Sequence, residues 1–135
     1  MIYTQLEAIK TTIEGMGYYK KTELGSNFVW NRSNAPIAVV KLEDGDLAHH
    51  TRFSGVVSII GLLYKEKDVE KETLSAMESM VVTLRNGHPE LSHNDFNFYI
   101  DQNVLDVFNV DFPVMAPFGA YRLQYRMRQD LQTNT

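Results

Sequence analysis

The stretch Thr51–Tyr64, "TRFSGVVSIIGLLY", decides the fold. Alternate residues of an extended chain lie on opposite faces, and here the odd set is Phe53, Gly55, Val57, Ile59, Gly61 and Leu63. The even set is Arg52, Ser54, Val56, Ser58, Ile60, Leu62 and Tyr64. Both sets turn apolar from Val56 onward, which predicts a strand buried on both sides rather than one with a wet face. In a chain of 135 residues the helices can cover one face, so the other is expected to be covered by a second subunit. Val56, Ile60 and Leu62 are the candidate interface residues there. Gly55 and Gly61 fall on one face, where a glycine marks a bend or a close backbone approach.

Upstream of this strand, "EDGDLAHH" is a polar tip whose Asp44–Gly45 pair predicts a hairpin turn. Before it, "NFVWNR" and "PIAVVKLE" are short runs of β-branched and aromatic residues separated by the turn residues "SNAP", the pattern of a two-stranded hairpin. The N-terminal segment carries Ile2, Leu6, Ile9, Ile13 and Met16 at helical spacing. Thr4 and Glu7 fit a capping box, Tyr3 and Ala8 a hydrophobic staple, and Gly15 and Gly17 a stop.

Downstream, "DVEKETLSAMESMVVTLRNGHP" predicts a second helix with Asp68 as N-cap, Glu70 and Glu72 near its positive end, and Arg85 in its last turn. Its apolar stripe is Val69, Leu74, Met77, Met80, Val81 and Leu84. "FNFYI" and "VLDVFNV" are short strand-like runs, and "FPVMAPFG" favours irregular or edge structure. In the closing "GAYRLQYRMRQDL", Tyr121, Leu123, Tyr125 and Met127 alternate with Arg122, Gln124, Arg126 and Arg128, placing three of the chain's arginines on one outward face. Residues from about 130 should fray. The whole predicts a single α+β domain over residues 1–135, an antiparallel or mixed sheet of about five strands with two helices packed on one face, in the order α-β-β-β-α-β-β.

Composition narrows the function. Net charge is -4, with pI near 5.5, so there is no general attraction to nucleic acid and any polyanion contact must be local. No cysteine is present, which excludes disulfides and thiolate metal sites. No signal-peptide pattern opens the chain, and its longest apolar run is about half the roughly 20 residues of a membrane span, so no membrane contact is expected. Phosphate-loop, nucleophile-elbow and "HExxH" patterns are absent, as is the acid–x–lysine pair of a common nuclease type. His49 and His50 are adjacent, His88 and His93 flank a loop with Pro89, and neither pair has the spacing of a metal site, so no metal or other cofactor is expected. Glu43, Asp44 and Asp46 lack the spacing of a calcium loop and are candidates for contact with a basic partner. Tyr18, Tyr19, Trp30, Phe96, Phe98 and Tyr99 could offer stacking platforms for bases, but few basic residues accompany them. Arg122, Arg126 and Arg128 either form a charged face that resists aggregation or a contact surface, since arginine binds carboxylates and phosphates bidentately.

The assembled pattern resembles the tail terminator or tail completion proteins of tailed bacteriophages. It rests on chain length, the amphipathic N-terminal helix, the hairpin and long apolar strand, the helix "VEKETLSAMESMVVTLRNG", and the closing strand "AYRLQYRMRQ". The resemblance implies a non-enzymatic virion protein, assembled in the bacterial cytoplasm. Its identical subunits would form a ring, a hexamer in the family, that caps the tail tube and meets tail tube protein and a neck or connector protein. The arginine strand would then face an acidic patch on a neighbour or DNA in the lumen. A neck or head-completion adaptor is the nearest alternative. A small nuclease or metabolic enzyme using His49, Asp46, His88 and Arg122 is another, and a monomeric binding module a third.

Overall fold

In the computed structural model, residues 2–25, 31–48, 52–88, 96–99 and 117–130 are described, with side chains for 3–25, 31–42, 55–88 and 117–124. The fold is α+β, a mixed sheet with two helices. In chain order the elements are α1 (Ile2–Glu14), β1 (Lys21–Leu24), β2 (Ile37–Ala48), β3 (Arg52–Tyr64), α2 (Val69–Gly87), β4 (Phe96–Tyr99) and β5 (Phe118–Asp130). The sheet order is β1-β2-β3-β5-β4, with β1 parallel to β2 and every other pair antiparallel.

Alternation explains which side each strand residue takes. Ala38 and Val40 of β2, Val57, Ile59 and Leu63 of β3, and Tyr121 and Leu123 of β5 form one core with Leu6, Ile9 and Ile13 of α1 and Ala76, Met77, Met80 and Leu84 of α2. Both helices therefore share one face. Ile37, Val39, Ile60, Leu62 and Ala120 make a second cluster on the opposite face with Ala35, against which Tyr64 and Phe118 pack. Each fully buried Ile or Leu contributes about 1.5–3 kcal/mol, so the second cluster is a core in its own right.

Two glycines let these layers approach. A Cβ on Gly61 would lie 2.0 Å from Cε2 of Tyr121, whose ring crosses the strand there. A Cβ on Gly119 would lie 2.2 Å from Oγ1 of Thr73, so the first turns of α2 rest on bare β5 backbone. That seating turns Thr73 inward, 2% exposed, with its hydroxyl donating to the Val69 carbonyl at 2.7 Å. Leu74, expected on the apolar stripe, is left 49% exposed.

Several local expectations change. Helix α1 already includes Ile2, so Thr4 sits inside its first turn rather than capping it, and Tyr3 is exposed rather than stapled. The helix does end at the glycines, with Gly17 at φ 69. Asp68 occupies the N-cap of α2 in the left-handed region, φ 57, without a side-chain capping bond. Strand β2 pairs in parallel with Lys21–Leu24, begun by the Lys20 amide donating to the Pro36 carbonyl at 2.9 Å, while most of "NFVWNR", the other strand of the expected hairpin, lies outside the described residues. Asn27 to Trp30, "VLDVFNV" and the end beyond Asp130 lie outside the described residues. No described helix is long and apolar enough to cross a membrane.

Candidate functional site

Strand β5 sorts its residues by parity. Tyr121 and Leu123 are fully buried beneath the helices. Arg122 and Gln124 take the opposite face and are half-buried, with the Gln124 amide donating to Ser58 Oγ at 3.4 Å. In register, Arg122 pairs with Ile60, Arg126 with Val56 and Arg128 with Ser54. The backbone thus spaces the arginines at even positions along one strand.

Strand β2 brings the acidic residues beside them. Asp44 and Gly45 are not a turn: β2 runs through them to Ala48, and the reversal lies between Ala48 and Arg52. The register with β3 shifts between Leu42 and Asp44, so Glu43 is the extra residue of a bulge. Before the bulge Leu42 pairs with Val57, and after it Asp44 pairs with Val56 and Asp46 with Ser54. Asp44, Val56 and Arg126 therefore form one transverse row, and Asp46, Ser54 and Arg128 the next. Two clusters separated by about 80 residues in sequence, far beyond any local pattern, meet across a single intervening strand.

Ile60 and Leu62 take a different place from the one expected. Both are 0% exposed within the single chain, and Val56 is half-buried. The face opposite the helices is thus already filled at Ile60 and Leu62, and neither side chain offers surface to a neighbour. The expectation went astray because two helices cover only one face, and alternation cannot say whether the same chain also covers the other.

A polar cluster near the start of α2 was not foreseen. The hydroxyls of Tyr19 and Tyr121 hydrogen-bond to each other, the Tyr18 and Tyr19 rings meet edge to face with centroids 4.9 Å apart, and the Tyr18 hydroxyl donates to Glu72 Oε1 at 2.7 Å. Lys65 Nζ donates to the other Glu72 oxygen at 3.1 Å. Burial pushes Tyr19 up to about 12. It raises Tyr18 too, assisted by the bond to Glu72, and holds Tyr121 well above its ordinary value. Glu72 is lowered, first by the hydrogen bond from Tyr18 and then by that from Lys65. Tyr19 and Tyr121 are tied into the fold, whereas Tyr18, bonded to Glu72, keeps its ring exposed. Nothing in the local sequence joins Tyr18 to Glu72, 54 residues away.

His88, expected in a solvated loop, is 9% exposed at the C-cap of α2, its Nε2 2.8 Å from Thr12 Oγ1. It belongs to the helix layer, whereas Arg122 lies on the other face of the sheet, so the scattered enzyme site does not come together at these two members. His49 lies outside the described residues. Among the described residues, no group of three or more His, Asp or Glu is placed to hold a metal ion. No protein-family model matches this chain, and no curated protein matches it.

Proposed function

We propose that the chain is a structural subunit of a tailed bacteriophage, a tail terminator whose identical copies form a ring on the tail tube and join it to the head. The observation that carries this reading is the register of three long strands, which sets acidic and basic residues in adjoining rows. Strands β2, β3 and β5 are 12, 13 and 13 residues long, and they pair with one another along nearly their whole length. That ladder carries Asp44, Asp46, Arg126 and Arg128 in adjoining rows. A protein that acts by contact needs such a patterned array of charge more than it needs a pocket.

On this reading the protein is not an enzyme and resides in the virion after assembly in the host cytoplasm. It meets tail tube protein on one side and a neck or connector protein on the other. Sedimentation and native mass measurement of the purified chain, followed by capture with tube and connector proteins, test it. A ring that binds the tube is expected. A chain that stays monomeric at every concentration and enters no assembly with either protein overturns the proposal, and a ring that binds only the connector transfers it to a neck adaptor.

A further inference from the structure

Helix α2 has two sides, and the core uses one of them. Ala76, Met77, Met80 and Leu84 join α1 and the sheet in one apolar cluster, with Thr73 buried beside them. The helical repeat puts Lys71, Leu74, Ser75, Glu78, Val82 and Arg85 on the opposite side, within about a third of the circumference. All six are exposed, Leu74 at 49% and Val82 at 52%. A surface helix carries its apolar residues in a stripe toward the core. Two large apolar side chains in line on the far side are not accounted for by that packing.

The charges on this side have a definite order. Leu74 and Val82 lie about 12 Å apart along the axis, with Glu78 midway between them. Lys71 stands three residues before Leu74, and Arg85 three after Val82. The face therefore reads cation, apolar, anion, apolar, cation. Opposite charges support a helix at spacings of three or four residues, yet Glu78 has no cation and Arg85 no acid at either spacing. Among the described residues, Lys71, Glu78 and Arg85 make no ion pair.

We infer that this face of α2 docks a helix of a different protein, one that carries acid, apolar, cation, apolar, acid at the same spacing. A second copy is the wrong occupant, because the order of charge on α2 reads the same from both ends. In an antiparallel pair, setting Leu74 of one copy on Val82 of the other brings Glu78 onto Glu78 and Lys71 onto Arg85. In a parallel pair every charge meets its own kind. Each register that covers both apolar residues thus opposes like charges, which selects against self-pairing. The complementary helix gains from the same register. Its apolar residues cover Leu74 and Val82, its cation meets Glu78, and its acids meet Lys71 and Arg85, the latter able to hold a carboxylate bidentately. The contact lies on the outer side of the helix layer and does not depend on the ring proposed above.

The test titrates the full chain into a labelled helical peptide of the order Glu-x-x-Leu-x-x-x-Lys-x-x-x-Leu-x-x-Glu, read by fluorescence anisotropy. A control peptide has its acids and lysine exchanged. The first peptide should bind at least about tenfold more tightly than the control, and Lys71→Glu/Glu78→Lys/Arg85→Glu should reverse that preference. Amide exchange on the wild type should show added protection over 71–86 when the first peptide is bound, which also decides the matter if the variant fails to fold. Equal affinity for the two peptides, protection confined to other residues, or no binding of the first peptide at about 1 mM overturns the inference. So does self-association of the wild type that Leu74→Ser/Val82→Ser abolishes, because the occupant would then be a second copy.

Discussion

Strands β2, β3 and β5 are mainly apolar toward one end of the sheet and carry most of their charges toward the other. Toward Tyr64 and Phe118 both faces of the sheet are buried, one beneath the helices and the other in the second apolar cluster. Toward Ala48 and Asp130 the same strands carry Asp44, Asp46, Ser54, Arg126 and Arg128, with Gly45 facing Gly55. Backbone pairing continues from one end to the other. Hydrogen bonding alone adds little net stability per bond. The first half should therefore hold the fold, and the second half is free to be written for contacts.

The sharpest way to break that division is Gly61→Val. The first added carbon would already overlap the fully buried Tyr121 ring, so a loss above about 4 kcal/mol, or failure to fold, is expected in denaturant titration. Leu62→Ala should follow at about 2–5 kcal/mol. A loss well below 1 kcal/mol would mean that the face opposite the helices is not a core.

Tyr19→Phe comes next, since it leaves the buried Tyr121 hydroxyl without its partner, at about 1–3 kcal/mol. The double change Tyr19→Phe/Tyr121→Phe should cost less than the two single changes added together. The pair also predicts a pH dependence. Tyrosine in the unfolded chain ionises near 10, whereas burial pushes Tyr19 to about 12. Between those values the unfolded state has lost a proton that the folded state keeps, so stability is full below about pH 10 and falls as pH rises toward 12. Denaturation midpoints measured over that window should decline, and less steeply in Tyr19→Phe.

Glu72→Gln tests a weaker tie. Glu72 is part-exposed, its side chain 31% accessible, so screening limits the effect to about a few tenths of a kcal/mol. Its carboxyl is held below the ordinary value, so this contribution is present above about pH 4.3 and is lost as pH falls. The variant should show a flatter acid limb. Smallest of all for folding is Asp44→Lys/Asp46→Lys, expected to shift the unfolding free energy by no more than about 0.5 kcal/mol. A large loss there would dissolve the division, because the charged half would then be holding the fold.

What could be read from sequence follows the same boundary. The β3 pattern disclosed a strand buried on both faces because its apolar residues occupy consecutive positions. The alternation of Tyr121 and Leu123 with Arg122 and Gln124 gave the faces of β5 correctly where side chains are described. Helix α2 was legible from its caps and charges, though its inner stripe was shifted by the bare backbone at Gly119, which only tertiary packing reveals. Strand β1 was not legible. "KTEL" has too little apolar signal to stand out, and its parallel partner lies across a connection of 12 residues, from Gly25 to Pro36. At the proposed contact surface, the residue types were visible but their arrangement was not. "EDGD" has the composition of a turn, yet its residues are held extended by pairing with β3, and a local pattern carries no record of that partner.

The bulge at Glu43 acts on the strand as a frameshift acts on a reading frame. Side alternation is a code with two states, and one supernumerary residue inverts the state of everything after it while the direction of travel is kept. Were Glu43 to pair with Val56, Asp44 would stand level with Gly55 and Met127, and Asp46 with Phe53 and Gln129. The acids would then leave the rows that hold Arg126 and Arg128. Loss of Glu43 itself could be absorbed, since Leu42 and Asp44 already face consecutive residues of β3. Gain of a residue that entered the ladder beside it would exchange the two sides again.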